Sequence, residues 1–425
     1  MPRLSPALLF PVAISAAAAI GLVKTLLLAA LLEPASFGRY AVFMGVAVVA
    51  TILISLGRIE RTTKAWPRAW EEGDFAFLAL DQASASRLLA LRGGIVAMVM
   101  LALAGLGTVA GWLPETTATG LALAALLVVP GVILLLTASG MRAIGSMRLL
   151  LAFTTARSGL ALLIAAPLAM LAGWEWALAG EALAQALVAL WSWLTVRRRF
   201  AAPSHDAANA FEETAGAVRE GRQLYSSNLI GSLVPFGGRG FIALIADAAT
   251  AGAYAVAMVF VQIAQMFAGS VAQREGPLVI KLARRGETGL LRQLKVPAFL
   301  LTVLAAGSFA AFLISLQIPQ AAQFWATYNL GVLAIGLTTI AMLAAFHMQL
   351  SFVLLAFDAE RYVLRAAIVS TAVTYGGFLV ASAMALGVPG FVASVAAGEG
   401  LRALYMLGAY LGLRRARDRG PSQSH

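Results

Sequence analysis

Residues 119–139 read TGLALAALLVVPGVILLLTAS, twenty-one positions without a single charge. At 1.5 Å per residue a helix of this length spans about 30 Å, the hydrocarbon thickness of a bilayer. The run lacks the ten-residue length and alternation of a barrel strand. In lipid the backbone must satisfy its polar groups within a helix or a closed barrel, so this stretch predicts a membrane-spanning helix. Comparable runs lie near 8–32, 38–57, 93–113, 149–172, 176–196, 226–247, 250–273, 296–316, 329–355, 366–386 and 390–413. Composition agrees: 60% of the 425 residues are hydrophobic and 12% charged, with mean hydropathy +0.85. Soluble domains carry roughly 25% charged residues. The expected fold class is an all-α membrane protein of about twelve transmembrane helices in two parallel six-helix repeats around a central cavity.

Lys and Arg set the orientation. With the N-terminus in the cytoplasm, 26 of the 31 basic residues fall on that side, and the opposite side holds only Arg39. This positive-inside bias predicts a bacterial inner-membrane protein with both termini cytoplasmic. It also accounts for most of the formal charge of +11. The basic residues are spread over several segments instead of forming one patch, so nucleic acid is not an expected partner. No cysteine is present, which excludes thiol and disulfide chemistry. The first apolar run outlasts a signal-peptide core and is read as a retained helix.

The halves echo each other. Gly38-Arg39-Tyr40-Ala41-Val42-Phe43-Met44 recurs 214 residues later as Gly252-Ala253-Tyr254-Ala255-Val256-Ala257-Met258. Ala179-Gly180-Glu181-Ala182-Leu183 recurs after 218 residues as Ala397-Gly398-Glu399-Gly400-Leu401. Arg148, Thr154 and Gly159 align with Arg365, Thr371 and Gly376. Three matches in order at nearly constant offset favour duplication, and six spans per half make the repeats parallel. The domains are therefore expected at 1–199 and 226–425. Between them, 200–225 should be a cytoplasmic linker with a short amphipathic helix. Residues 58–92, with Trp66, Pro67, Trp70 and Phe75, suggest an interfacial helix.

No catalytic set, phosphate loop, HExxH or metal cluster appears, so an enzyme and a metal cofactor are not expected. The informative residues are ionisable groups inside spans, each costing about 2.5–3.5 kcal/mol or more at the bilayer centre. Lys24 lies in the first span and Arg239 in the seventh, and the 214-residue offset puts Lys24 opposite position 238. Equivalent cations at similar depth suggest a cationic cavity floor for a diphosphate or other anion; the alternative is carbonyl capping or pairing with an acid. Arg58, Arg61 and Arg274 either guide an anionic headgroup inward or simply express the orientation bias. Glu181 and Glu399 either hold a coupling proton or sodium ion or tie helices together, the tie being the simpler reading. Arg157 is a candidate partner for Glu181, and Arg402 lies one turn from Glu399. His347 reads as a packing histidine. Pro235 to Gly240 around Arg239 suggests a broken seventh helix.

Leu32-Glu33-Pro34-Ala35-Ser36-Phe37-Gly38-Arg39-Tyr40 resembles the "LGPxxYGxY" turn of Wzx-type polysaccharide flippases, in the multidrug/oligosaccharidyl-lipid/polysaccharide exporter superfamily. Arg239 through Gly252-Ala253-Tyr254-Ala255-Val256-Ala257 resembles that family's "DR…GxYxxA" segment. Pro277 and Gly387-Val388-Pro389-Gly390 resemble later family features. The chain departs from the pattern at Gly238, where aspartate is common, and at Ala30 and Glu33. The resemblance implies flipping of an undecaprenyl-diphosphate-linked oligosaccharide to the periplasmic leaflet, with membrane lipids and polysaccharide polymerase or synthase components as further partners. A drug/cation antiporter of the same superfamily and a membrane enzyme or accessory subunit of polysaccharide assembly are the competing expectations.

Overall fold

A computed structural model describes residues 6–201, 225–285, 290–357 and 359–418. Among these the regular structure is helical throughout. Ten helices are long and apolar enough to cross a membrane, and Ala19–Leu31 is a shorter apolar stretch.

The chain forms two compact units. The first, Ala16–Leu244, contains most of α1 (Pro6–Leu31), then α2 (Pro34–Ser55), α3 (Arg58–Glu72) and α4 (Phe75–Val109). It continues with α5 (Glu115–Ala143), α6 (Met147–Ala172), α7 (Trp174–Phe200) and α8 (Tyr225–Ile245). The second unit, Met1–Ser15 with Ile245–His425, takes the start of α1 and holds α9 (Ala248–Arg285), α10 (Leu290–Ser315), α11 (Pro319–Thr327) and α12 (Val332–Ala344). It closes with α13 (His347–Ala356), α14 (Glu360–Ala383) and α15 (Gly387–Asp418).

Several elements differ from the sequence expectation in instructive ways. The span near 93–113 is the far part of α4, whose 35 residues extend about 52 Å, well beyond a ~30 Å hydrocarbon core. Its charged beginning carries the helix on into the headgroup zone. Residues 58–72 form the expected amphipathic helix α3, ended by Gly73 at φ 76°. Asp74 then caps α4 by accepting from the Phe77 N–H at 2.9 Å. The tenth span is two helices, interrupted at Ala345-Phe346 between α12 and α13. The amphipathic helix expected in 200–225 falls outside the described residues.

Helix α8 loses regular α geometry at Pro235. Residues 233–237 form a π-turn, the wide turn that results when proline removes an N–H and its ring crowds the preceding carbonyl. That turn packs against α2 where Gly45 clears the way: a Cβ there would stand 2.5 Å from the Phe236 carbonyl oxygen. By sequence α8 opens the second half, yet it belongs to the first unit.

The repeat motifs occupy equivalent packing positions. In the first unit Gly180 of α7 lets α6 approach, since a Cβ there would lie 2.9 Å from Ala165 Cα. In the second, Gly398 of α15 lies against Ser370 and Thr374 of α14 in the same way. The glutamate that follows each glycine is thereby carried into the interior, Glu181 at 3% and Glu399 at 2% exposure.

Candidate functional site

Glu181 is the hub of a polar cluster inside the first unit. Lys24 of α1 donates to both carboxylate oxygens, at 3.0 and 2.8 Å. Tyr40 of α2 donates its hydroxyl proton at 3.3 Å, and Gln185, one turn along α7, donates at 3.2 Å. Three helices thus converge on one carboxylate whose lone pairs are met by charge-assisted and neutral donors. Desolvating this ion pair is expensive, and only such a full donor set makes burial tolerable.

Two further cations stand near this hub. Arg239 of α8 is buried, its guanidinium 5.5 Å from the Phe236 ring, and close enough to Tyr40 for its charge to reach the phenol. Arg157 of α6 is close enough for its charge to act on Glu181, but it forms no ion pair within 4 Å. Its side chain keeps accessible surface while surrounding atoms desolvate the guanidinium, and it lies about 15 Å from one end of α6 and about 22 Å from the other. The apolar residues Leu163 and Met170 mark the lipid-exposed face of α6. At 100° per residue Arg157 lies about 120° and 140° around the helix from them, but only about 40° from Leu171, which is 80% exposed. A guanidinium inside a helix apolar enough to cross a membrane requires water or polar surroundings.

These positions revise the sequence reading residue by residue. Lys24 is not an open cavity cation, because it is spent on Glu181; the partner expected for Glu181, Arg157, is the exposed one. Lys24 and Arg239, matched by the repeat offset, both reside in the first unit. Arg58 is buried and donates to Asp81 at 2.6 Å, while Trp66 donates to the other Asp81 oxygen at 2.8 Å. This knot fastens α3 to α4 and leaves Arg58 unavailable as a headgroup guide. Arg61 is half-buried on the same helix. Arg274 is helical in α9, but its side chain lies outside the described residues. Sequence reading missed Tyr40, Gln185 and Asp81; the tyrosine in the repeated motif and the four-residue spacing of Glu181 and Gln185 were the available signals.

The second unit has a sparser counterpart. Glu399 Oε2 lies 3.3 Å from His347 Nδ1 and 3.9 Å from Arg402 Nη1. The imidazole N–H is directed at the Ala344 carbonyl, 3.0 Å away, where the α12–α13 break frees an acceptor. Glu399 Oε2 therefore has a nearby cation but no well-aligned donor. No group of three or more metal-ligating side chains occurs among the described residues.

A family model described as polysaccharide biosynthesis protein matches residues 8–274. No curated protein sequence matches. Solved structures similar to this chain include an inward-facing multidrug resistance MATE family transporter of the MOP superfamily, with TM-score 0.73, 15% identity and 96% of each chain covered. An outward-facing transporter of that description gives TM-score 0.66 at 17% identity over 98% of each chain. A MOP superfamily transporter from Pyrococcus furiosus, with a binding pocket of reverse polarity, gives 0.64 at 16% identity over 96% of each. At these identities the likeness establishes the fold, which is MATE-like, with about twelve helices in two lobes.

Proposed function

The chain belongs to the polysaccharide biosynthesis protein family, and from that premise we propose that it is an alternating-access flippase for a polyprenyl-diphosphate-linked oligosaccharide. The observation that carries this reading is Arg157, a guanidinium with accessible surface inside the apolar helix α6, whose charge reaches the Lys24–Glu181 pair. A diphosphate crossing about 30 Å of hydrocarbon needs its lost hydration replaced. A guanidinium does this with paired, planar donors matched to phosphate oxygens. In this mechanism Glu181 sets the geometry: it holds Lys24 and Tyr40 in place and keeps the local charge from becoming excessively positive. Arg157 receives the diphosphate, the sugars follow in water, and the polyprenyl tail stays in lipid. The membrane is assigned as the bacterial inner membrane, with both termini cytoplasmic, from the distribution of Lys and Arg.

The second reading is a drug/cation antiporter, favoured by Glu399, a buried carboxylate with an incompletely satisfied oxygen suited to binding a proton or sodium ion. Proteoliposomes separate the two. With fluorescent undecaprenyl-diphosphate oligosaccharide, wild type is expected to flip the lipid. Arg157→Gln should reduce the rate at least tenfold, and Arg157→Lys should retain an intermediate rate. An unchanged Arg157→Gln rate removes the cation site but keeps the flippase. Movement of cationic dyes with no lipid flipping replaces the flippase by the antiporter.

A further inference from the structure

The first unit carries a second polar site, away from Glu181. A groove of about 800 Å³ runs between α4, α5 and α7. At one end it is lined by Gln82, Ser86 and Arg87 of α4 and by Trp193 and Arg197 of α7. Farther in, the walls become apolar, with Ala90, Pro130, Ile133 and Leu190. Beyond Ala90 a second depression, about 640 Å³, continues along α4 past Gly94 to Ala102. The flanks are apolar ridges that face outward: Leu91 is 62% exposed, Met98 66% and Leu190 56%.

The polar end consists of donors. Gln82 is 2% exposed, and its Nε2 has no hydrogen-bond partner among the described residues. A buried amide left so costs about 1–3 kcal/mol, which an acceptor from outside the chain would offset. Trp193 donates its indole N–H to Ser86 at 3.1 Å, so Ser86 keeps its own hydroxyl proton to give. Arg197 lies over the Trp193 ring at 5.2 Å, which fixes its guanidinium at the mouth. Arg87 is exposed on the facing helix. No acidic side chain lines the groove. Two cations, a hydroxyl and an amide, with no acceptor charge among them, are complementary to a phosphate ester. From Ala90 to Ala102 the apolar depression extends about 18 Å, a little over one leaflet of a ~30 Å core.

We propose that this groove binds an anionic phospholipid of the surrounding membrane, its phosphate on Arg87 and Arg197 and an acyl chain along Ala90–Ala102. Arg87 lies twelve residues into α4 and Arg197 three from the end of α7, so the headgroup end falls where both helices reach the same membrane surface. Basic pockets between transmembrane helices at that level are suited to anionic headgroups. The bound lipid would bridge α4 to α7, the helix that presents Glu181.

The test uses the full-length protein in detergent, with phosphatidylglycerol, phosphatidylcholine and undecaprenyl phosphate as probes and native mass spectrometry and thermal shift as readouts. Wild type should bind phosphatidylglycerol at least tenfold more tightly than phosphatidylcholine. The double variant Arg87→Gln/Arg197→Gln should lose that preference. Gly94→Leu, whose side chain would project into open space in the depression, should weaken both phospholipids while preserving their ratio. Equal wild-type affinity for the two phospholipids overturns the proposal. So does a preference that survives in the double variant, or unchanged binding by Gly94→Leu. Displacement of phosphatidylglycerol by equimolar undecaprenyl phosphate also overturns it, reassigning the groove to the carrier lipid. Should the double variant fail to fold, the wild-type ratio and Gly94→Leu still decide.

Discussion

Glu181 and Glu399 occupy the same place in two copies of one motif, but they have different surroundings. Both follow a glycine at a close helix crossing, and both are buried. Glu181 collects an ammonium, a phenol and an amide. Glu399 has a histidine whose N–H is directed elsewhere and an arginine at 3.9 Å. The packing position of the glutamate is held by backbone geometry, which tolerates almost no substitution. Lys24, Tyr40 and His347 sit on other helices and are free to diverge. The first unit has spent its carboxylate on an ion pair; the second leaves one oxygen incompletely satisfied.

The sharpest way to break this contrast is to remove Lys24. Lys24→Ala should destabilise the protein by about 3–5 kcal/mol, because a buried carboxylate loses its countercharge. The double variant Lys24→Met/Glu181→Leu should recover most of that, as read by thermal unfolding in detergent. A small loss for Lys24→Ala would mean that Arg157 can replace the lysine.

Next in size are the glycines. Gly180→Ala places a methyl against Ala165 backbone, and Gly398→Ala places one against Thr374 and Ser370. Each should cost about 1–3 kcal/mol, since at both positions the added methyl meets backbone, Ala165 Cα at 2.9 Å and the Ser370 carbonyl oxygen at 2.7 Å. An unchanged melting temperature for either variant would contradict the shared packing role.

Glu399→Gln should change stability by less than about 1 kcal/mol, because the oxygen it alters has no aligned donor to lose. A large loss would show that Arg402 contributes more than its 3.9 Å separation suggests.

The smallest effect concerns Glu60, a buried carboxylate of α3, outside the membrane-spanning helices. Burial raises its pKa, opposed in part by a backbone hydrogen bond and by the Asn228 amide, which donates at 3.2 Å. A raised carboxyl pKa means that the folded state holds the proton more tightly than the unfolded state. Its stabilising contribution is therefore complete below the unfolded carboxylate range and declines as pH rises through the folded pKa. Glu60→Gln should flatten that slope and raise the melting temperature slightly at neutral pH; a steeper slope would contradict it.

The spans and their duplication were legible because lipid imposes length and apolarity on each helix separately. The same reasoning singles out Arg157, Lys24 and Glu181 as charges within apolar helices. What a linear reading lacks is rotation about the helix axis. It gave Glu181 to Arg157 on the adjacent helix, when the lysine 157 residues away is the one turned toward it. It treated Arg58 as open to solvent because Asp81 and Trp66 meet only after α3 folds back on α4. The extent of α4 and the break at Ala345-Phe346 were hidden as well. Charge and hydropathy mark where lipid ends, whereas helix ends depend on capping and tertiary contact.

The placement of helix α8 has a practical consequence for dividing the protein. It packs on α2 in the first unit although it follows the polar 200–225 stretch, and the next helix begins afresh at Asp247, which accepts from the Thr250 N–H. Severing the gene in that polar stretch would translate α8 in a different polypeptide from the surface it covers. Two open reading frames divided at Asp247 would each keep α8 and α9 with the helices they pack on, making that junction the better place for split reporters or co-expressed halves.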